Sequence, residues 1–103
     1  MTFLYFHLPF ILMDIKLISF VLRAKNRRTI LSMLVKERLT PSQIMKRTNM
    51  YDSHISRTIK ELVQIGLVEC ENAEERTFRF YSATKLGCEV AKEVEKIRKE
   101  IST

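Results

Sequence analysis

Five polar side chains near the middle of the chain, Ser53, His54, Ser56, Arg57 and Lys60, are spaced so that a helix would gather them on one side. At about 100° per residue, Ser53, Arg57 and Lys60 fall opposite an apolar set of Ile55, Ile59, Leu62 and Val63, with His54 and Ser56 flanking them. A helix divided in this way fixes its back to a small core and leaves its front free to enter a DNA groove. The chemistry on offer is hydrogen bonding and charge. The planar fork of Arg57 can pair with O6 and N7 of guanine. Ser53 and His54 stand near the N-terminal end, where such helices meet bases, while Lys60 and Gln64 lie further along and suit phosphate.

Other chemistries find little support. His7 and His54 are the only histidines, and neither has a cysteine or carboxylate neighbour at metal-ligand spacing. Cys70 and Cys88 are too few and too far apart for a disulfide framework or a zinc site; small core residues in a reducing cytoplasm are expected instead. No nucleophile–base constellation is present, and the two glycines, Gly66 and Gly87, form no phosphate loop. The sequence predicts no enzyme, no metal and no cofactor.

The 103 residues suit one domain with a modest core, and two glycines with two prolines favour helices over a turn-rich β fold. The net charge is +6, unevenly spread. From Arg23 to Lys60 ten basic residues face only Glu37 and Asp52, so this stretch carries +8 and the remainder −2. A basic block inside a folded region is the footprint of a phosphate-backbone partner.

The elements that must position the polar face can be read in order. Asp14 to Arg23 predicts a short helix whose Ile15, Leu17, Ile18, Val21 and Leu22 cover more than one face, so a core or a second subunit must cover it. Asn26 to Arg38 predicts a second helix, with Ile30, Leu31, Leu34 and Val35 at core spacing. Thr40-Pro41-Ser42-Gln43 is a helix start in which threonine caps, proline occupies the first turn and glutamine completes a capping box. Ile44 and Met45 are expected to face inward, and Lys46 and Arg47 to close this short helix. Asn49 suits the left-handed conformation of the following turn. The next helix should run from Tyr51 or Asp52 to about Ile65, with Gly66 as its stop. Leu67 to Cys70 and Thr77 to Tyr81 predict a hairpin, with Phe78 and Phe80 alternating against Thr77 and Arg79 across a tip at Glu71 to Arg76.

Residues 84–101 predict a long final helix capped by Thr84. Its Leu86, Val90, Val94, Ile97 and Ile101 form a narrow seam that a partner helix from a second copy would cover, or that packs back on its own domain. The expected dimer surface joins Ile15, Ile18 and Leu22 to Val90, Val94, Ile97 and Ile101. Residues 1–13 are strongly apolar, interrupted by Pro9 and too short to span a bilayer. They lack a basic leader and a cleavage site, so a signal peptide fits poorly. Two readings stay open: a segment buried in a dimer interface, or an upstream extension of a chain that naturally starts at Met13. A membrane anchor is not expected, for want of a basic amphipathic face.

Taken together, Arg28-Arg-Thr-Ile-Leu-Ser-Met-Leu, Leu39-Thr-Pro-Ser-Gln-Ile, His54-Ile-Ser-Arg-Thr-Ile-Lys-Glu-Leu, Gly66-Leu-Val-Glu-Cys and Tyr81-Ser-Ala-Thr-Lys-Leu-Gly resemble the winged helix–turn–helix transcriptional regulators of the MarR and ArsR type. The likeness covers residues 14 to 101. It implies a mainly α fold with a small β-hairpin wing and flanking N- and C-terminal dimerisation helices. It also implies a homodimer on double-stranded DNA, with one recognition helix per subunit in successive major grooves. Thr40, Ser42 and Gln43, at a helix start with free N–H groups, suit a phosphate; Arg27, Arg28, Lys46 and Arg47 could add backbone contacts. The wing departs from the pattern. Wing tips of this family are usually basic, whereas Glu71, Glu74 and Glu75 crowd this one, leaving Arg76 and Arg79 as contacts unless the wing stays clear of DNA. The Cys-x-Cys or His/carboxylate ligands of ArsR-type metal sensors are missing, and nothing names a small-molecule effector.

The expected function is a dimeric, sequence-specific, cytoplasmic DNA-binding regulator, most simply a repressor that occludes a promoter. The alternative is a winged-helix protein–protein interaction module without direct DNA readout. The basic block favours the first and the acidic wing the second.

Overall fold

The computed structural model describes residues 15–102. The apolar segment 1–13, Asp14 and Thr103 lie outside the described residues. Residues 15–22 are helical (α1), followed by α2 (Lys25–Lys36), α3 (Pro41–Thr48), α4 (Asp52–Gln64), β1 (Val68–Cys70), β2 (Tyr81–Ala83) and α5 (Lys85–Ser102). The architecture is that of a winged helix: mainly helical, with one small antiparallel hairpin. No described helix is long and apolar enough to cross a membrane.

Local sequence explains the joints. Thr40 Oγ1 accepts from the Gln43 backbone N–H at 3.2 Å, and Gln43 Oε1 accepts from the Thr40 N–H at 2.9 Å, completing the capping box with Pro41 in the first turn. Asn49 ends α3 at φ 62°, and Thr48 Oγ1 bridges the turn, donating to Ile44 O and accepting from Met50 N. At the end of α4 the Leu67 N–H reaches Leu62 O and the Gly66 N–H reaches Val63 O, with Gly66 at φ +81°. This is a Schellman stop, and glycine is the residue that adopts it freely. Thr84 caps α5, accepting from the Gly87 N–H at 3.0 Å while donating to Gly66 O at 2.7 Å.

The core forms around α2, which packs on both α4 and α5 while α3 packs on α4. Ile30, Leu31 and Leu34 of α2 meet Ile55, Ile59 and Leu62 of α4 on one side and Val90 and Val94 of α5 on the other. Val21, Leu39, Ile44, Leu67 and Val68 complete it. Gly87 marks the closest approach: a Cβ there would lie 2.0 Å from Leu67 O.

Four expectations are corrected. The second strand is Tyr81–Ala83, not Thr77 to Tyr81. It pairs Val68 with Ala83, Glu69 with Ser82 and Cys70 with Tyr81, and Tyr81 also bridges Leu39. The alternation of Phe78 and Phe80 misled because the Asn72 side chain replaces a strand there, accepting from Phe80 N at 2.8 Å and donating to Phe78 O at 3.0 Å. Met45, Val35 and Val63 are exposed, not core. Each lies at the margin of its helix's apolar stripe, beside the fully buried Leu34, Ile44 and Leu62 that the core takes up. Cys70 and Cys88 are half-buried. Finally, Val90 and Val94 are 2% and 5% exposed within a single chain, so they belong to the domain core and not to a surface between subunits.

Candidate nucleic-acid interface

α4 is divided as its sequence requires. Ile55, Thr58, Ile59 and Leu62 are buried, and Ser53, His54, Ser56, Arg57 and Lys60 are exposed. Among the described residues, neither Arg57 nor Lys60 forms an ion pair. The carboxylate best placed to compete, Glu61, is held by Arg27 at 3.0 Å. Arg27 also donates to Phe20 O and lies over the Phe20 ring at 3.7 Å, tying α1, α2 and α4 together. A shallow polar notch of about 230 Å³ runs between α2 and α4, lined by Asn26, Arg27, His54, Arg57, Thr58 and Glu61.

The remaining predicted residues divide. Ser42 is exposed at the start of α3 and Lys46 on its outer side, both on a groove of about 710 Å³ between α3 and the wing. Thr40 is buried with hydroxyl and N–H both used in the cap, and the Gln43 N–H and Oε1 are used likewise. The free N–H groups that would hold a phosphate at this turn are therefore largely taken. Arg28 points away from α4: it donates to Leu22 O and lines a pocket with Ser32, Glu95 and Arg98, on the side of α2 facing α1 and α5. Arg47 is paired with Glu37. Arg76 and Arg79 are exposed in the wing loop, with Arg79 Nε donating to Glu75 O at 2.6 Å.

Three wing and turn residues carry roles the sequence reading did not assign. Tyr51, exposed ahead of α4, meets the His54 ring edge-on at 5.7 Å. Phe78 stands out from the wing, and Asn72 organises the loop behind it. The position of Asn72 in a hairpin tip was a usable signal, since asparagine side chains readily substitute for backbone in turns. Phe78 offered none, because alternation with Thr77 and Arg79 is the pattern of a half-buried residue.

On the other face, α1 and α5 leave apolar surface uncovered in the single chain. Ile15 is 54% and Ile101 75% exposed, Ile18, Leu22 and Ile97 are half-buried, and Ile18, Leu86 and Val90 line a groove of about 260 Å³. Among the described residues no cluster of His, Cys, Asp or Glu could hold a metal ion.

Solved structures with this architecture are winged-helix proteins. HlyU from Vibrio cholerae N16961 aligns with a TM-score of 0.67 at 21% identity, covering 87% of this chain and 94% of its own. NMB1585, a MarR family regulator from Neisseria meningitidis, aligns at 0.64 and 25% identity, covering 76% and 56%. A ZitR variant from Lactococcus lactis aligns at 0.66 and 18% identity, covering 75% and 53%. The chain thus spans little more than half the length of the ZitR and NMB1585 chains. These likenesses establish the winged-helix fold and its MarR-like form. No curated protein sequence matches. The sequence pattern of the HVO_A0261 N-terminal domain matches residues 15–103, nearly the whole chain, and the protein belongs to that domain family.

Proposed function

We propose that the protein is a DNA-binding transcriptional regulator that reads the major groove with α4, through Ser53, His54, Ser56, Arg57 and Lys60, as a homodimer and most simply as a repressor. The observation that carries this reading is the outer side of α4, exposed along its length, with Arg57 and Lys60 outside any ion pair among the described residues. Arg57 serves as the base-reading fork and Lys60 as a phosphate contact. Ser42 and Lys46 add backbone contacts from α3. Arg28, Thr40 and Gln43 are left out because their polar groups are used within the fold, and Arg47 because Glu37 pairs with it.

The second copy is placed on the α1/α5 face, through Ile15, Ile18, Leu22, Ile97 and Ile101. Their uncovered apolar surface supports this, as does the homodimer implied by the family resemblance. The test is a titration of the protein into labelled duplex selected from random sequence, at several salt concentrations. The affinity is expected to fall steeply with salt as counterions leave the phosphates. Arg57→Ala should cost about 1–3 kcal/mol on the selected site and little on nonspecific duplex. Salt-insensitive or absent binding would favour a protein–protein module instead.

A further inference from the structure

The wing loop carries an aromatic ring in an unfavourable place and an unfavourable conformation. Phe78 is 80% exposed, and it has φ +55°, one of only two non-glycine residues at positive φ among those described. Bulky side chains avoid that region because Cβ crowds the carbonyl oxygen. A relaxed loop would turn such a ring inward. Here four hydrogen bonds hold it out: Asn72 Nδ2 to Phe78 O at 3.0 Å, Phe80 N to Asn72 Oδ1 at 2.8 Å, Glu75 N to Asn72 O at 2.9 Å, and Arg79 Nε to Glu75 O at 2.6 Å. Phe80 is covered separately, half-buried beneath the Arg38 guanidinium at 4.8 Å.

The surroundings point to a partner. Phe78 borders the groove that also holds Ser42 and Lys46 of α3, Asp52 at the start of α4, and Arg79. It therefore lies on the side of the domain from which α4 would approach a duplex. The carboxylates Glu71, Glu74 and Glu75 make the tip a poor phosphate ligand. An uncharged ring between Arg76 and Arg79 is the part of this wing that can come close to bases. Proteins that bind the minor groove frequently insert an apolar side chain that partly unstacks a base step.

Resting on the proposed DNA-binding function, we propose that Phe78 is the wing's DNA-contacting residue, an apolar wedge placed by the Asn72-centred loop into the minor groove flanking the site read by α4. The wing would then contribute shape readout without needing a basic tip. The experiment uses the full chain and the selected duplex, with 2-aminopurine substituted in turn at each flanking base step. Wild type should raise the fluorescence at one step per half-site, reporting unstacking. Phe78→Gly should abolish that rise and weaken binding about tenfold. Its salt dependence should stay unchanged, and its melting temperature should hold or rise because glycine adopts positive φ freely. Phe78→Leu should keep most of the affinity. An affinity of Phe78→Gly within twofold of wild type, or a weakened affinity with the fluorescence rise intact, overturns the wedge while leaving α4 as reader. Failure of wild type to bind any duplex overturns the parent function and the wedge together.

Discussion

Arginine is the residue type on which this protein's surface chemistry turns, and its copies do different work. Arg57 stands in solvent on α4, Arg47 is neutralised by Glu37, and Arg27 and Arg28 are half-buried braces. The structural pair is committed to the fold through Nη1, which in each donates to a backbone carbonyl, and Arg27 is held also by Glu61. Substitutions should therefore separate. Arg57→Lys keeps the charge but not the fork, so selected-site affinity should fall towards that of Arg57→Ala while nonspecific affinity persists, as read by anisotropy on both duplexes. Arg47→Ala should leave both affinities nearly unchanged. Arg28→Ala should instead lower the free energy of unfolding by about 1–2 kcal/mol in denaturant titration with DNA affinity intact, because its loss leaves the Leu22 carbonyl without its donor.

One tight junction between the wing, α4 and the final helix lies where Leu67 passes beneath α5. The Thr84 N–H donates to Leu67 O, Thr84 Oγ1 donates to Gly66 O, and Gly87 brings the helix onto the same backbone. Only hydrogen fits at Gly87, since the atom a side chain would strike is a backbone oxygen that cannot rotate away. Gly87→Ala should lower stability by about 1–3 kcal/mol in denaturant unfolding, despite alanine being the better helix former. The capping box of α3 is a milder case: Thr40→Ala should cost about 1 kcal/mol.

At the scale of the molecule, two apolar surfaces of α5 have different fates. Val90 and Val94 close the core against α2, whereas Ile101, with Ile15 of α1, faces outward. Val94→Glu places an unpaired charge in the core and should unfold the domain, losing more than about 3 kcal/mol. The double substitution Ile15→Glu with Ile101→Glu should leave circular dichroism and melting of the monomer fold intact while halving the mass in sedimentation. An unchanged mass would remove the α1/α5 face as the subunit interface.

The features legible in the chain alone were those that short-range chemistry decides. The Thr40–Gln43 capping box, the left-handed Asn49, the Gly66 stop and the two sides of α4 each depend on residues within one or two turns of each other. Which side of α5 the domain would claim and which carboxylate would take up Arg27 were settled by elements far apart in sequence, whereas the asparagine amide that stands in for a strand acts inside its own loop. Val94 meets α2, Arg27 meets Glu61, and Asn72 meets Phe78 and Phe80 across the hairpin. Periodicity reports that a side chain wants cover, but only packing in three dimensions decides what supplies it.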